Sequence, residues 1–160
     1  MKPIQTIFIS ACMAASLGAA DAIAKTVEAT SPSGLLSIVV DDTESLSFSL
    51  SADGKPLLNR SQISLQTQHR VEDASQKYPK IKSSSLKKGL KEKISAPFHH
   101  TPDFDAEWNE LNVRLSNGQT VTFRLFDDGV AYRFSTDNKE DQTIYSEVAT
   151  YCLAGDPALY

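Results

Sequence analysis

The chain has 160 residues and a formal net charge of −4, with 20 acidic against 16 basic side chains. That balance excludes a protein built to grip phosphate backbones, which needs clustered Lys and Arg. Two cysteines exclude a disulfide framework, and the length suits about one domain behind a leader.

The leader comes first in chain order. Lys2 gives a positive start, residues 4–17 are mostly small and apolar, and Ala22-Ile23-Ala24 has the A-x-A form of a cleavage site. Residues 1–24 are therefore expected to be a secretory signal peptide cut before Lys25. A membrane-spanning helix is the competing reading. It fails because Gln5, Thr6, Ser10 and Ser16 break a stretch that must hold about 20 apolar residues to cross. Ile9-Ser10-Ala11-Cys12 also resembles a lipoprotein box, but the apolar run before it is too short to prefer acylation at Cys12. Loss of residues 1–24 removes Lys2 and Asp21 together, so the charge of residues 25–160 stays at −4.

Residues 27–67 read as a β-meander. Leu35 to Val40 is a β-branched apolar run after the turn Ser31-Pro32-Ser33-Gly34. Leu46, Phe48 and Leu50 then alternate with serines, the period of a strand with one wet face. Asp53-Gly54 supplies a hairpin turn, and short strands are expected over 56–58 and 62–68. Residues 69–104 carry the weakest pattern, with a serine run and Lys77, Lys80, Lys82, Lys87, Lys88, Lys91 and Lys93. An amphipathic helix over 86–94 is conceivable, but Gly89 at its centre favours an irregular or edge strand. The lysines are expected to form a solvated, mobile face.

From Glu107 the strand signal is strong. Leu111, Val113 and Leu115 share one face. Ser116-Asn117-Gly118 turns the chain, and Val121, Phe123 and Leu125 face the core. Asp127-Asp128-Gly129 turns it again into Val130, Tyr132 and Phe134, and 144–151 gives one more strand. No convincing 3.6-residue period occurs after the leader. The fold class is all-β, an antiparallel β-sandwich.

Few residues invite chemistry. His99-His100 cannot easily chelate one ion, because neighbours on a strand point to opposite faces, and His69 is the only other histidine. Asp103, Asp105, Glu107 and Glu110 are better read as a solvated acidic edge than as a glycosidase pair, with a structural hydrogen bond allowed to Glu110. Asp127-Asp128-Gly129 lacks the ligand series of a calcium loop. Trp108, Phe98, Phe104 and Tyr78 could stack on sugar rings but suit a core equally well. Cys152 is expected to be a small buried residue rather than a nucleophile. Asn59-Arg60-Ser61 has sequon form, which matters only in a eukaryotic secretory pathway.

Residues 106–134 carry a resemblance. Asn109-Glu110-Leu111, an Asn-Gly turn, and then Phe123-Arg124-Leu125-Phe126-Asp127-Asp128-Gly129-Val130-Ala131-Tyr132-Arg133-Phe134 resemble the N-terminal domain of glycoside hydrolase family 97. Ser31-Pro32-Ser33-Gly34 and Asp53-Gly54-Lys55-Pro56-Leu57-Leu58 fit the opening of that domain more loosely. The resemblance implies a periplasmic exo-acting α-glucosidase or α-galactosidase of a Gram-negative bacterium, with a supersandwich, a catalytic (β/α)8 barrel and a small C-terminal β-domain. It implies that the acid and the base or nucleophile lie on the barrel. The N-terminal domain would dock there and lend one carboxylate to a calcium site just beyond a segment that Gly155-Asp156-Pro157 begins to match. That ligand position is not in the sequence, so no catalytic, cofactor-binding or metal residue is assigned, and the domain is expected to be incomplete. A Trp-rich stretch common in the family is replaced by Phe98-His99-His100, which leaves glucoside against galactoside open. The alternative is a free-standing extracytoplasmic sandwich that binds carbohydrate or protein. A third reading is a structural fragment of a truncated or frameshifted gene.

Overall fold

The computed structural model describes residues 24–67, 78–95 and 103–155. Among these there is no helix. Nine strands run in the order β1 (Thr26–Thr30), β2 (Leu36–Asp41), β3 (Ser47–Ala52), β4 (Lys55–Gln66), β5 (Ile81–Ser95), β6 (Asp103–Leu115), β7 (Gln119–Leu125), β8 (Val130–Thr136) and β9 (Ser146–Ala149). They form a five-stranded sheet, β1-β2-β3-β4-β9, and a four-stranded sheet, β5-β6-β7-β8. Every pairing is antiparallel. The chain builds four strands of one sheet and the whole of the other, then returns to add β9 beside β4.

The alternation of the sequence decides which face is inside. Ile38 and Val40 of β2, Phe48 of β3 and Ile63 of β4 meet Leu111, Val113 and Leu115 of β6 and Val121, Phe123 and Leu125 of β7 in one core. The Phe48 ring lies 5.9 Å from that of Phe123 and 6.0 Å from that of Tyr132, both tilted, the geometry aromatic quadrupoles favour. The β3–β4 hairpin turns at Asp53 (φ 49°) and Gly54 (φ 72°), consecutive left-handed residues that match the strand twist.

Three expectations need correction. The short strands over 56–58 and 62–68 are one strand, β4, because a register irregularity opposite Phe48 to Ser51 lets pairing continue across Asn59 and Arg60. The edge strand favoured over 86–94 is present but longer, as β5, fifteen residues. It is an edge strand with only one neighbour, so hydrophobic alternation is not required of it, and Gly89 (φ 64°) bulges between Lys87 and Leu90. The serine face of β3 is dry at its start, where Ser47 and the preceding Ser45 are buried and hydrogen-bond each other at 3.0 Å, and half-buried at Ser49 and Ser51. In addition β6 begins at Asp103 rather than Glu107, and Cys152 is exposed rather than buried.

Candidate functional site

Polar side chains inside the sandwich act as ties between the sheets. Asn109 occupies a core-facing position in the series that continues with Leu111, Val113 and Leu115. Its Oδ1 accepts the Gly89 N–H at 2.8 Å and its Nδ2 donates to the Thr30 carbonyl at 2.8 Å. One amide thus satisfies the bulge of β5 and the end of β1 in the opposite sheet. Gln119 does similar work at the other end of the strand pair β6–β7. Its Nε2 donates to the Leu65 carbonyl at 2.9 Å, and its Oε1 accepts from Asn117 Nδ2 at 3.0 Å. Asp127, in the turn before β8, accepts from the backbone N–H and the hydroxyl of Ser33. These bonds, the Ser33 backbone donor foremost, lower the Asp127 pKa. The Asp127-Asp128-Gly129 segment is therefore a turn tied to the other sheet.

The outer face of the four-stranded sheet carries Trp108, Glu110, Asn112, Thr122 and Arg124. Arg124 lies 4.7 Å over the Trp108 ring and donates to Glu110 Oε2 at 3.2 Å. Asn112 donates to Glu110 Oε1 at 3.2 Å and accepts from the Thr122 hydroxyl at 2.7 Å. Burial pushes the Glu110 carboxyl up. The hydrogen bonds from Asn112 and Arg124, with the charges of Arg124 and Lys87, outweigh it and leave the pKa below the ordinary value. Glu110 is thus held as a structural carboxylate, unlike Asp103, Asp105 and Glu107, which are exposed. Lys91 and Lys93 pair with Glu107 and Asp103.

The residues considered for chemistry do not converge. Trp108 is only 6% exposed and packs on Phe126 at 5.7 Å, so its face is not offered to a sugar. Phe104 is exposed at the start of β6. Tyr78 lines a cavity of about 520 Å³ at one end of the sandwich, with Leu46, Ile63 and Leu115 below and Gln66, Asn117, Gln119, Phe134 and Asn138 around it. Among the described residues no charged side chain lines it. His69, His99, His100, Phe98, Lys77, the leader with Cys12, and residues 156–160 lie outside the described residues. Among the described residues no three His, Cys, Asp or Glu side chains come together as metal ligands, so these residues do not fit the calcium that the family resemblance implies.

One edge is open. β9 has all four residues exposed, and Ile144, Tyr145, Val148, Tyr151, Leu153 and Leu57 are large apolar side chains exposed on or beside it. Across the sandwich, the inward residues of β8 (Val130, Tyr132 and Phe134) are only half-buried. Apolar surface gathered in this way marks an interaction face more often than a finished wall.

Two antiparallel sheets packed on one apolar core define an all-β sandwich domain. The chain belongs to the glycosyl-hydrolase 97 N-terminal family, whose sequence model matches residues 29–160. A retaining α-galactosidase of Bacteroides thetaiotaomicron is 28% identical over 129 residues, which are 79% of this chain and 19% of that protein. A glycoside hydrolase family 97 enzyme from Pseudoalteromonas sp. strain K8, solved with panose and with acarbose, superposes with a TM-score of 0.64 at 19% identity, over 79% of this chain and 20% of the enzyme. A β-arabinopyranosidase superposes at 0.65 with 20% identity, over 80% of this chain and 21% of the other. The chain thus spans about a fifth of the length of the relatives it matches.

The tying residues were only partly visible beforehand. Asn109 and Glu110 stand within the Asn-Glu-Leu motif, whereas Gln119 belongs to no motif. The usable signal was an amide at a position that strand alternation assigns to the core.

Proposed function

We propose that this chain is the N-terminal supporting domain of a secreted family 97-like exo-α-glycosidase. Hydrolysis of terminal α-glucosides or α-galactosides would belong to a (β/α)8 barrel elsewhere in a parent polypeptide. The observation that carries this reading is the family match over residues 29–160 in a chain that spans a fifth of its relatives. The open β8–β9 edge is the surface that the rest of the parent would cover. Calcium would be held by carboxylates of the parent, and the protein would work in the periplasm after loss of residues 1–24. The coding DNA beyond Tyr160 tests the reading: an in-frame barrel of several hundred codons supports it, and a stop codon sinks it as a description of this polypeptide.

The cavity at Tyr78 favours a second reading, carbohydrate binding by the sandwich itself. Its lining among the described residues joins amides, hydroxyls, a Phe and a Tyr ring without a charge, and its volume lies within the range of about 300–1,000 Å³ typical of ligand pockets. That chemistry suits a neutral saccharide. Calorimetric titration with starch oligosaccharides and α-galactosides is the check, and absence of heat at about millimolar ligand removes this reading.

A further inference from the structure

Asp42 is 2% exposed at the junction of the two sheets. Its Oδ2 accepts the backbone N–H of Ile81, the first residue of β5, at 2.6 Å. Its Oδ1 accepts from the backbone nitrogen of Lys25 at 2.7 Å. Among the described residues no Lys or Arg side chain forms an ion pair with this carboxylate. Lys80 reaches the same corner, but its Nζ is spent on the carbonyls of Asp42 and Thr43. A buried anion held by neutral donors alone is costly, and a cation at hydrogen-bond distance would answer it.

The residue already in place can become that cation. Lys25 is fixed at three points: its nitrogen on Asp42, its carbonyl accepting the Asp42 N–H at 3.3 Å, and its Nζ on the Lys82 carbonyl at 3.1 Å. It follows Ala22-Ile23-Ala24 directly. In an uncut chain its backbone nitrogen is a neutral amide. We propose that the Ala24–Lys25 bond is the processing site and that Asp42 is a built receptor for the N-terminus it releases. Leader removal then converts a neutral hydrogen bond into an ammonium–carboxylate pair, buried on the Asp42 side and exposed at Lys25, that joins β1 to β5 across the sheets. The reaction is hydrolysis by a leader-cleaving peptidase. Water adds to the Ala24 carbonyl, the C–N bond breaks, Ala24 leaves on the leader as a carboxylate, and the Lys25 amine takes up the proton. The proposal rests on the secreted reading above and adds to it a structural use for the cut.

The test separates the two. The full chain is expressed with its own leader in a Gram-negative host, recovered from the periplasm and sequenced from its N-terminus, where Lys25 is expected first. The α-amine is then left free, acetylated, or blocked by a retained Ala24, in the wild type and in Asp42→Asn, and each form is unfolded in urea. Blocking should lower the folding constant about tenfold in the wild type and less than about twofold in Asp42→Asn, the coupling a double-mutant cycle isolates. Equal effects in both backgrounds overturn the receptor, even with Lys25 first. A chain that keeps its leader overturns the secreted reading, while the coupling is still measured on protein released at Lys25 from a scarless fusion. If Asp42→Asn does not fold, acylation rates of the α-amine decide: protection in the native chain relative to urea supports the receptor, and equal rates overturn it.

Discussion

A buried amide that serves two sheets shows how much rests on single residues. Asn109→Ala would leave the Gly89 N–H and the Thr30 carbonyl without their partner. A loss of about 1–3 kcal/mol is expected for each such group left unsatisfied, measurable as a lower urea midpoint with an unchanged slope. Glu110 makes a pH-dependent contribution. Its folded pKa lies below the ordinary carboxylate value, so the stability it adds is fully present above the unfolded value of about 4.3 and drains away as pH falls through the depressed folded value. Glu110→Gln should therefore flatten the acid limb of a stability profile measured between about pH 3 and 6, with its main cost at neutral pH. Tyr132 works at the opposite end. Burial, then the hydrogen bond with Tyr151, raises its pKa to about 12. Its contribution is present below about pH 10 and lost as pH climbs through the folded value, so a spectrophotometric titration should show one tyrosine ionising late.

At the scale of elements, β5 and β6–β8 show what local pattern can and cannot reveal. Strands β6, β7 and β8 were legible because each buries alternate residues against the other sheet, so Leu111, Val113, Val121 and Phe123 had to be apolar. β5 was legible only in part, because an edge strand held by backbone pairing and by Asn109 needs few apolar side chains. Only the edge strand around Gly89 was expected, and its lysines are solvated charges of the kind that keep an edge from pairing with another chain. β4 spans both of the short strands expected over 56–58 and 62–68, and Arg60 between them turns outward to Asp41 and Glu44. Gly89 is the single position in β5 where the backbone dictates the residue. Gly89→Val should cost about 1–2 kcal/mol for the left-handed backbone, whereas Lys88→Val should cost little. Thermal unfolding of the two variants side by side checks this.

The whole molecule is a sandwich closed at one side and open at the other. The aromatic cluster of Phe48, Phe123 and Tyr132 joins the sheets next to the open edge. Phe123→Ala should cost about 3–5 kcal/mol, a large part of the 5–15 kcal/mol that holds a typical domain together. Ile144, Val148 and Leu153 are different: replacing them with Ser should leave the fold of this chain nearly unchanged and, on the proposed function, weaken docking against the rest of the parent. The candidate site was the part least legible from sequence. Tyr78, the Asn117–Gln119 turn and Phe134 come from three separate segments, and only the packing of the two sheets brings them to one cavity with Ile63. The central claim is that this chain supports a glycosidase without performing its chemistry. Hydrolysis of nitrophenyl α-glucoside and α-galactoside by the purified chain, with calcium present, tests it most directly. No turnover above a vector control is expected, and turnover that follows the purified protein would contradict the account.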